Sequence, residues 1–409
     1  MISHAFYALM LMSALISAPA CNGGNDDKIK EEELQPAAAI ELTKTQAEIN
    51  SKVTGFGLDV FRSLYSGGEE LFISPLSLSL ALSMTAGGAS GETLEQMTAT
   101  LGLAGYTAEE MGGYYQKMVS SLLSVDPKTT FEVANAIWAD KSISLKDDYL
   151  SFARRYYDSE VHSDDLSLQS TIDKINAWCA ANTHDKIKSI LDEPQGGIMA
   201  VLLNALYFNG TWQFRFGTTS EGTFHRYGGG TSKVPMMHYS GSLDYAESGL
   251  WRSVTLPYGN GAFAMSVILP AEGVDFDKAV AGLNADAWKK LLYKGYPTEV
   301  NLILPKFKME YSTSMKDVLI GLGMERAFSN AAEFPGISST PLMIDNVLQK
   351  TFVDVNEKGT EAAAVTAVVM KLTAVAPSHT VYFTADRPFI FAIRECSTGA
   401  LLFIGAKTK

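Results

Sequence analysis

Asn356-Glu357-Lys358-Gly359-Thr360-Glu361-Ala362-Ala363-Ala364-Val365-Thr366-Ala367-Val368-Val369-Met370-Lys371-Leu372-Thr373 is the stretch on which the fold turns. From Gly359 to Ala376 it holds no proline and a single glycine, at its start. With period two, one face is Thr360, Ala362, Ala364, Thr366, Val368, Met370 and Leu372, without a charge. The other face, Glu361 through Lys371, carries the charges. That is the pattern of a strand with one buried side. The uncharged face is small at its beginning, which suits a strand slipping between others already in place. A plain sheet strand is the competing reading. Against it stand the polar start at residues 357–361, the poor strand propensity of alanine, and the run ending at Val355, which already reads as a complete strand. A segment that alternates between exposed loop and inserted strand fits these facts better.

Outward from this stretch, the chain mixes helices and strands without regular alternation, the mark of an α+β fold. Ile49, Val53, Phe56, Val60, Phe61 and Leu64 follow helical spacing. Ser74-Pro75 opens an apolar helix, with serine as cap and proline in the first turn. Thr107 and Glu110 form a capping box. Buried strands are expected over 131–139, 199–208, 262–269 and 300–304. The C-terminal third is strand-rich, with expected strands at 342–355, 381–384, 389–394 and 401–406. After residue 45 there is neither a repeat nor a second linker, so 46–409 reads as one domain.

The first 45 residues differ. Residues 6–16 are apolar, and the small residues Ser17 to Ala20 precede Cys21. This reads as an export signal over 1–20, too short to span a membrane. A cysteine directly after small residues resembles the lipobox of bacterial lipoproteins, so Cys21 is the expected lipidation site and the cell envelope, at the outer membrane or cell surface, the expected location. Ordinary secretion with cleavage near Ala20 is the alternative. Residues 21–45 have the composition of a flexible tether.

The composition excludes several functions. The net charge is -12 over 409 residues, and no basic run of five occurs. Phosphate and sulfate polymers repel such a surface, so neither nucleic acid nor heparin is an expected partner. The three cysteines form no metal or redox spacing, and Cys179 and Cys396 read as inert thiols. GxSxG, HExxH, GxGxxG and P-loop patterns are missing from the sequence, so no catalytic residue, metal or cofactor is assigned. Ser90 reads as a helix cap rather than a nucleophile. Asn209-Gly210-Thr211 matches a glycosylation acceptor but reads better as part of a strand.

Several motifs in order resemble the serpin family over residues 50 to 409. They are Phe72-Ile73-Ser74-Pro75-Leu76-Ser77 with Gly87-Gly88-Ala89, Asn204 to Trp212, Val234-Pro235-Met236-Met237, Leu256-Pro257-Tyr258, Leu304-Pro305-Lys306-Phe307, and 385–389 with Gly399 and Gly405. Val355 to Ala364 resembles the inhibitory hinge. The resemblance is strongest to bacterial surface-associated inhibitors of broad specificity. It implies three β-sheets, the largest central and five-stranded, with eight or nine helices and an exposed reactive loop.

It also implies a mechanism. A protease, of the serine type and by extension the cysteine type, cleaves the loop as a substrate. The loop then inserts as a new central strand while the protease is still covalently attached. By resemblance the hinge is Glu357, Lys358, Gly359, Thr360, Glu361, Ala362, Ala363 and Ala364. Glu357 pairs with Lys306 near Trp212 in the breach at the top of the sheet. Ser74, Ser77 and Asn204 form the polar shutter cluster beneath it, with Gln349 where many serpins carry histidine. Counting Glu357 as the first, the seventeenth residue is Thr373, and the expected bait is the window Lys371, Leu372, Thr373, Ala374. The protein is expected to act as a monomer, not as an enzyme, touching membrane through a lipid anchor alone. The alternative is a non-inhibitory serpin: a carrier, chaperone or storage protein.

Overall fold

The computed structural model describes residues 36–194, 200–293, 295–360 and 380–409. The hinge residues Glu361 to Ala364, the window Lys371 to Ala374, Cys21 and the signal segment lie outside them. Among the described residues there are nine α-helices and fifteen strands, an α+β architecture.

The chain enters through residues of the expected tether that pack onto the domain. Ile40 is buried, and its N–H donates to Ser397 Oγ at 2.9 Å. Thr43 and Gln46 then exchange capping-box bonds to start α1 (Lys44–Leu64). Ile49, Val53, Phe56, Val60 and Phe61 of α1 are buried as their spacing requires. β1 (Leu71–Ile73) leads into α2 (Pro75–Ala86), whose first turn is closed by Ser74 Oγ accepting from the Ser77 N–H. All of α2 but Ala81 is buried. A helix without a wet face must be surrounded, and α2 runs beneath the sheets as an axle of the core.

α3 (Gly91–Thr100) and α4 (Ala108–Leu122) follow. Thr107 and Glu110 form the expected capping box of α4. Ser90 stands at the N-cap of α3, but its hydroxyl makes no cap bond there, contrary to expectation. The strand and helix series continues with β2 (Thr129–Asp140), α5 (Asp147–Tyr157), β3 (Ser159–Asp164), α6 (Gln169–Ala181) and β4 (Ala200–Thr211). α6 covers part of the sheet, with Ile172 and Ile175 packed against Trp138 and Leu203.

Next come β5 (Thr218–His225), β6 (Thr231–Ser248), β7 (Trp251–Pro257), β8 (Phe263–Pro270), α7 (Phe276–Gly282), α8 (Ala285–Tyr293), β9 (Tyr296–Pro305), β10 (Phe307–Ser314) and α9 (Lys316–Gly321). The C-terminal strands are β11 (Leu348–Asn356), β12 (Gly359–Thr360), β13 (Val381–Thr384), β14 (Phe389–Glu395) and β15 (Leu401–Lys407). The strand expected over 342–355 begins at Leu348. Leu342 and Ile344 are buried from an extended run without a ladder, which accounts for their strand-like alternation.

One sheet has the order β10-β11-β12-β4-β2-β3. It is the expected five-stranded sheet with the two residues of β12 as a sixth, short member. The other two expected sheets run together. β6 is 18 residues long; it pairs with β5 and β9 along its length and with β7 at its end, which joins nine strands in one hydrogen-bonded network.

β8 and β14 are buried at every position, as strands covered on both faces must be. Phe72 stacks on Phe391 and Phe403 at 5.4 and 5.2 Å, tying β1 to β14 and β15. Phe72→Ala should cost about 3–5 kcal/mol through the cavity it leaves. Denaturant unfolding of the variant beside the parent measures this, and a loss under about 1 kcal/mol would contradict the packing described.

Candidate functional site: the slot between two strands

β11 and β4 are neighbours joined through β12. Val355 and Asn356 of β11 pair with Thr360 and Gly359, and these pair in turn with Gly210 and Thr211 of β4. Among the described residues no ladder joins β11 to β4 directly. The expected insertable stretch therefore already has its first two residues between the strands.

Tight packing admits them. A Cβ on Gly359 would lie 2.0 Å from the Gly210 carbonyl oxygen, so no larger residue fits. Thr360 is 2 % exposed, and its Oγ1 lies 2.5 Å from the hydroxyl of the fully buried Tyr258. Burial pushes the Tyr258 phenol far up, with the Thr360 bond opposing it slightly, so this contact is between neutral groups. Tyr258 stacks on Trp212 at 4.3 Å. The Trp212 indole N–H donates to the Asn356 carbonyl, and its backbone N–H to that of Lys358, both at 2.9 Å. Trp212 thus grips the turn from which β12 emerges.

The expected ion pair closes this end. Lys306 Nζ lies 3.0 Å from Glu357 Oε2, and Thr219 Oγ1 donates to Glu357 Oε1 at 2.8 Å. Burial alone would push the Glu357 carboxyl up. Bonds from its own backbone, Lys306 and Thr219 outweigh that and hold it below the ordinary value. Both side chains remain about a third or more exposed, so the pair orients the turn more than it stabilises the domain. With a lowered carboxyl pKa, its contribution is present at neutral pH and fades only as the pH falls past the ordinary carboxyl value and acid protonates Glu357.

The second expected cluster assembles under the slot. The Ser74 N–H donates to Gln349 Oε1, and Gln349 Nε2 donates back to the Ser74 carbonyl, each at 2.9 Å. Ser77 Oγ donates to Asn204 Oδ1, and Asn204 Nδ2 donates to Asn135 Oδ1. Asn135 Nδ2 donates in turn to the Tyr157 carbonyl at 2.7 Å. A cavity of about 20 Å³, room for about one water, lies between Ser77 and Leu82 of α2, Asn204 of β4 and Gln349 of β11.

The four residues read from the sequence for this cluster thus meet, as do Glu357, Lys306 and Trp212. Thr219, Tyr258 and Asn135 were not assigned roles there. Tyr258 stood inside a quoted motif; Thr219 and Asn135 have no local signal, because their partners are 138 and 69 residues away. Burial pushes the Cys179 thiol up to about 12 and also raises that of Cys396, which disfavours the reactive thiolate in both.

The family model described as "Serpin (serine protease inhibitor)" matches residues 51–409. A serpin-like protein of Thermococcus kodakarensis is 34% identical over 378 residues, covering 90% of this chain and 88% of its own length. Iripin-8 of Ixodes ricinus is 34% identical over 394 residues, covering 90% and 97%. The crystal structure of tengpin, a thermophilic serpin, in its native state has a TM-score of 0.82 at 30% identity, covering 92% of this chain and 97% of that one. Tengpin in its latent state scores 0.77.

Gly359→Ala should expel β12 from the slot. Hydrogen exchange over a peptide containing residues 355–360 should rise at least tenfold at Thr360, and unchanged protection would refute the fit described for Gly359.

Proposed function

Because the chain belongs to the serpin family, we propose that it is a suicide inhibitor of proteases, using residues 361–379 as bait and the slot between β11 and β4 as the trap. Serine proteases are the first class of target and cysteine proteases the second. The protein is consumed in one encounter and turns over no substrate.

The register of β12 carries this reading. Thr360 lies opposite Gly210 and Val355. Continued antiparallel, that register sets Ala362 opposite Phe208 and Val353, and Thr366 opposite Asn204 and Gln349. On β11, Gln349, Thr351, Val353 and Val355 are the buried alternation. The uncharged face of the bait would follow them inward, while Glu361 and Lys371 would face out. Thr366 would arrive at the polar cluster, where the Ser77, Asn204 and Gln349 side chains are placed to exchange hydrogen bonds with it. Met370 would reach Ala200, the described end of β4. The window Lys371 to Ala374 would then lie just past the sheet's far end, ~40 Å from Gly359 at ~3.3 Å per residue. An attached protease would be carried that far.

New ladder bonds and burial on both sides of the inserted strand would drive this movement. The absence of charge on the inward face favours this reading over a carrier or storage role. Thr373-Ala374 suits elastase-like enzymes, and Lys371 and Leu372 suit trypsin-like and chymotrypsin- or subtilisin-like ones, so adjacent bonds would serve different proteases. Residues 1–20 would export the chain, Cys21 would carry a lipid holding the monomeric domain at the cell envelope, and 21–45 would tether it. Labelling with radioactive palmitate should then be lost in Cys21→Ser; equal labelling would refute the anchor.

An SDS-resistant complex with elastase, subtilisin or trypsin is expected, and a large rise in Tm after loop cleavage. Ala362→Glu should convert the inhibitor into a substrate, because its charge would be buried beside Val353 and Phe208. Ala363→Glu, on the opposite face, should keep most of the inhibition. Equal behaviour of the two variants, or cleavage without a gain in Tm, would overturn the insertion reading.

A further inference from the structure

β13 is the last strand of the nine-stranded sheet and begins two residues after the bait segment. Its Phe383 is fully buried, whereas Tyr382 is 71 % exposed. The Tyr382 side chain makes no hydrogen bond or ring contact among the described residues. Across the sheet it is in register with Asn301 of β9, and Asn301 with Ser240 of β6. Ser240 Oγ donates to Asn301 Oδ1 at 2.5 Å, which fixes the amide. The flanking outward positions Ser242 and Glu299 are polar as well. One aromatic ring therefore stands at the edge of a hydrophilic row.

A lone exposed tyrosine needs no explanation in itself. Its place along the chain supplies one. Residues that follow the cleaved bond lead directly into β13, so they leave a docked protease on the primed side of its cleft. Tyr382 is nine residues beyond Thr373, at most ~30 Å away at ~3.3 Å per residue. A protease domain of about 230 residues has a radius of gyration of ~17 Å, which puts this part of the sheet within reach of its primed rim. Tyrosine provides large contact area with few rotors to freeze and a hydroxyl for a polar neighbour.

We propose that Tyr382, with Asn301 and Ser240 beside it, is a secondary docking surface for the target protease, contacting the rim of the cleft on the primed side. This rests on the reading of residues 361–379 as bait. The fitting partner surface presents an aliphatic or guanidinium side chain to cover the ring and a backbone amide for the polar row. The acidity of the whole chain favours a basic rim. The surface acts before cleavage, on encounter, and takes no part in strand insertion.

The test measures second-order association rates of Tyr382→Ala and Tyr382→Phe against pancreatic elastase, trypsin, chymotrypsin and subtilisin. Tyr382→Ala should slow association about tenfold with at least one of them. Tyr382→Phe should fall between it and the parent. The stoichiometry of inhibition and Tm should not move, which separates docking from a structural role. Rates within twofold of the parent for all four proteases would overturn the proposal. If the parent forms no stable complex, the inhibitory reading fails. The docking surface is then decided by kcat/KM for loop cleavage: a tenfold loss in Tyr382→Ala supports it, and equality overturns it.

Discussion

Backbone N–H and C=O groups on the facing edges of β11 and β4 have a ladder partner at Gly359 and Thr360, and the described residues offer them no direct pairing below. An unpaired strand edge is an open template for another strand. Two such edges side by side form a slot with donors and acceptors on both walls. Gly359 opens the way because a Cβ there would collide with Gly210, and Thr360 ends the described insertion against Tyr258.

Two groups of contacts surround that slot, one at each level. At its mouth the grip is aromatic and ionic: Trp212 on the turn carbonyls, Tyr258 on Thr360, and Lys306 with Thr219 on Glu357. Lower down it consists of neutral amides and hydroxyls anchored on the first turn of α2. The difference suits their surroundings. The mouth is half-exposed, where a charged pair costs little to hold. The lower cluster is buried under the sheet, where a lone charge would be expensive and every polar atom needs a partner. Through bonds to both the N–H and the C=O of Ser74, Gln349 couples β11 to the α2 cap.

Much of this was legible in the chain. Capping signals at Ser74 and Thr107 are local chemistry and appear where expected, whereas the Thr43–Gln46 box lies at the edge of the stretch read as a tether. The meeting of Ser74, Ser77, Asn204 and Gln349 could not come from spacing, since they are brought together across up to 275 residues; it came from motifs in a known order. What escaped was of two kinds. β5, β6 and β7 mix polar and apolar residues, so the apolar-run criterion passed over them, and the period-two pattern of β10 went unused. Residues 342–347 did the opposite: Leu342 and Ile344 alternate like a strand while being buried from an extended loop. Burial alternation reports which side faces the core, not whether a neighbouring strand supplies hydrogen bonds.

The composition of the buried cluster has one more consequence. Ser74, Ser77, Asn135, Asn204 and Gln349 are all side chains that neither gain nor lose a proton in the ordinary range. With histidine at position 349, the bonds to Ser74 would rearrange around its ~6.5 titration point. With glutamine they do not. The underside of the slot is therefore indifferent to acidity, and keeps one set of donors and acceptors in a neutral fluid and in a mildly acidified one alike.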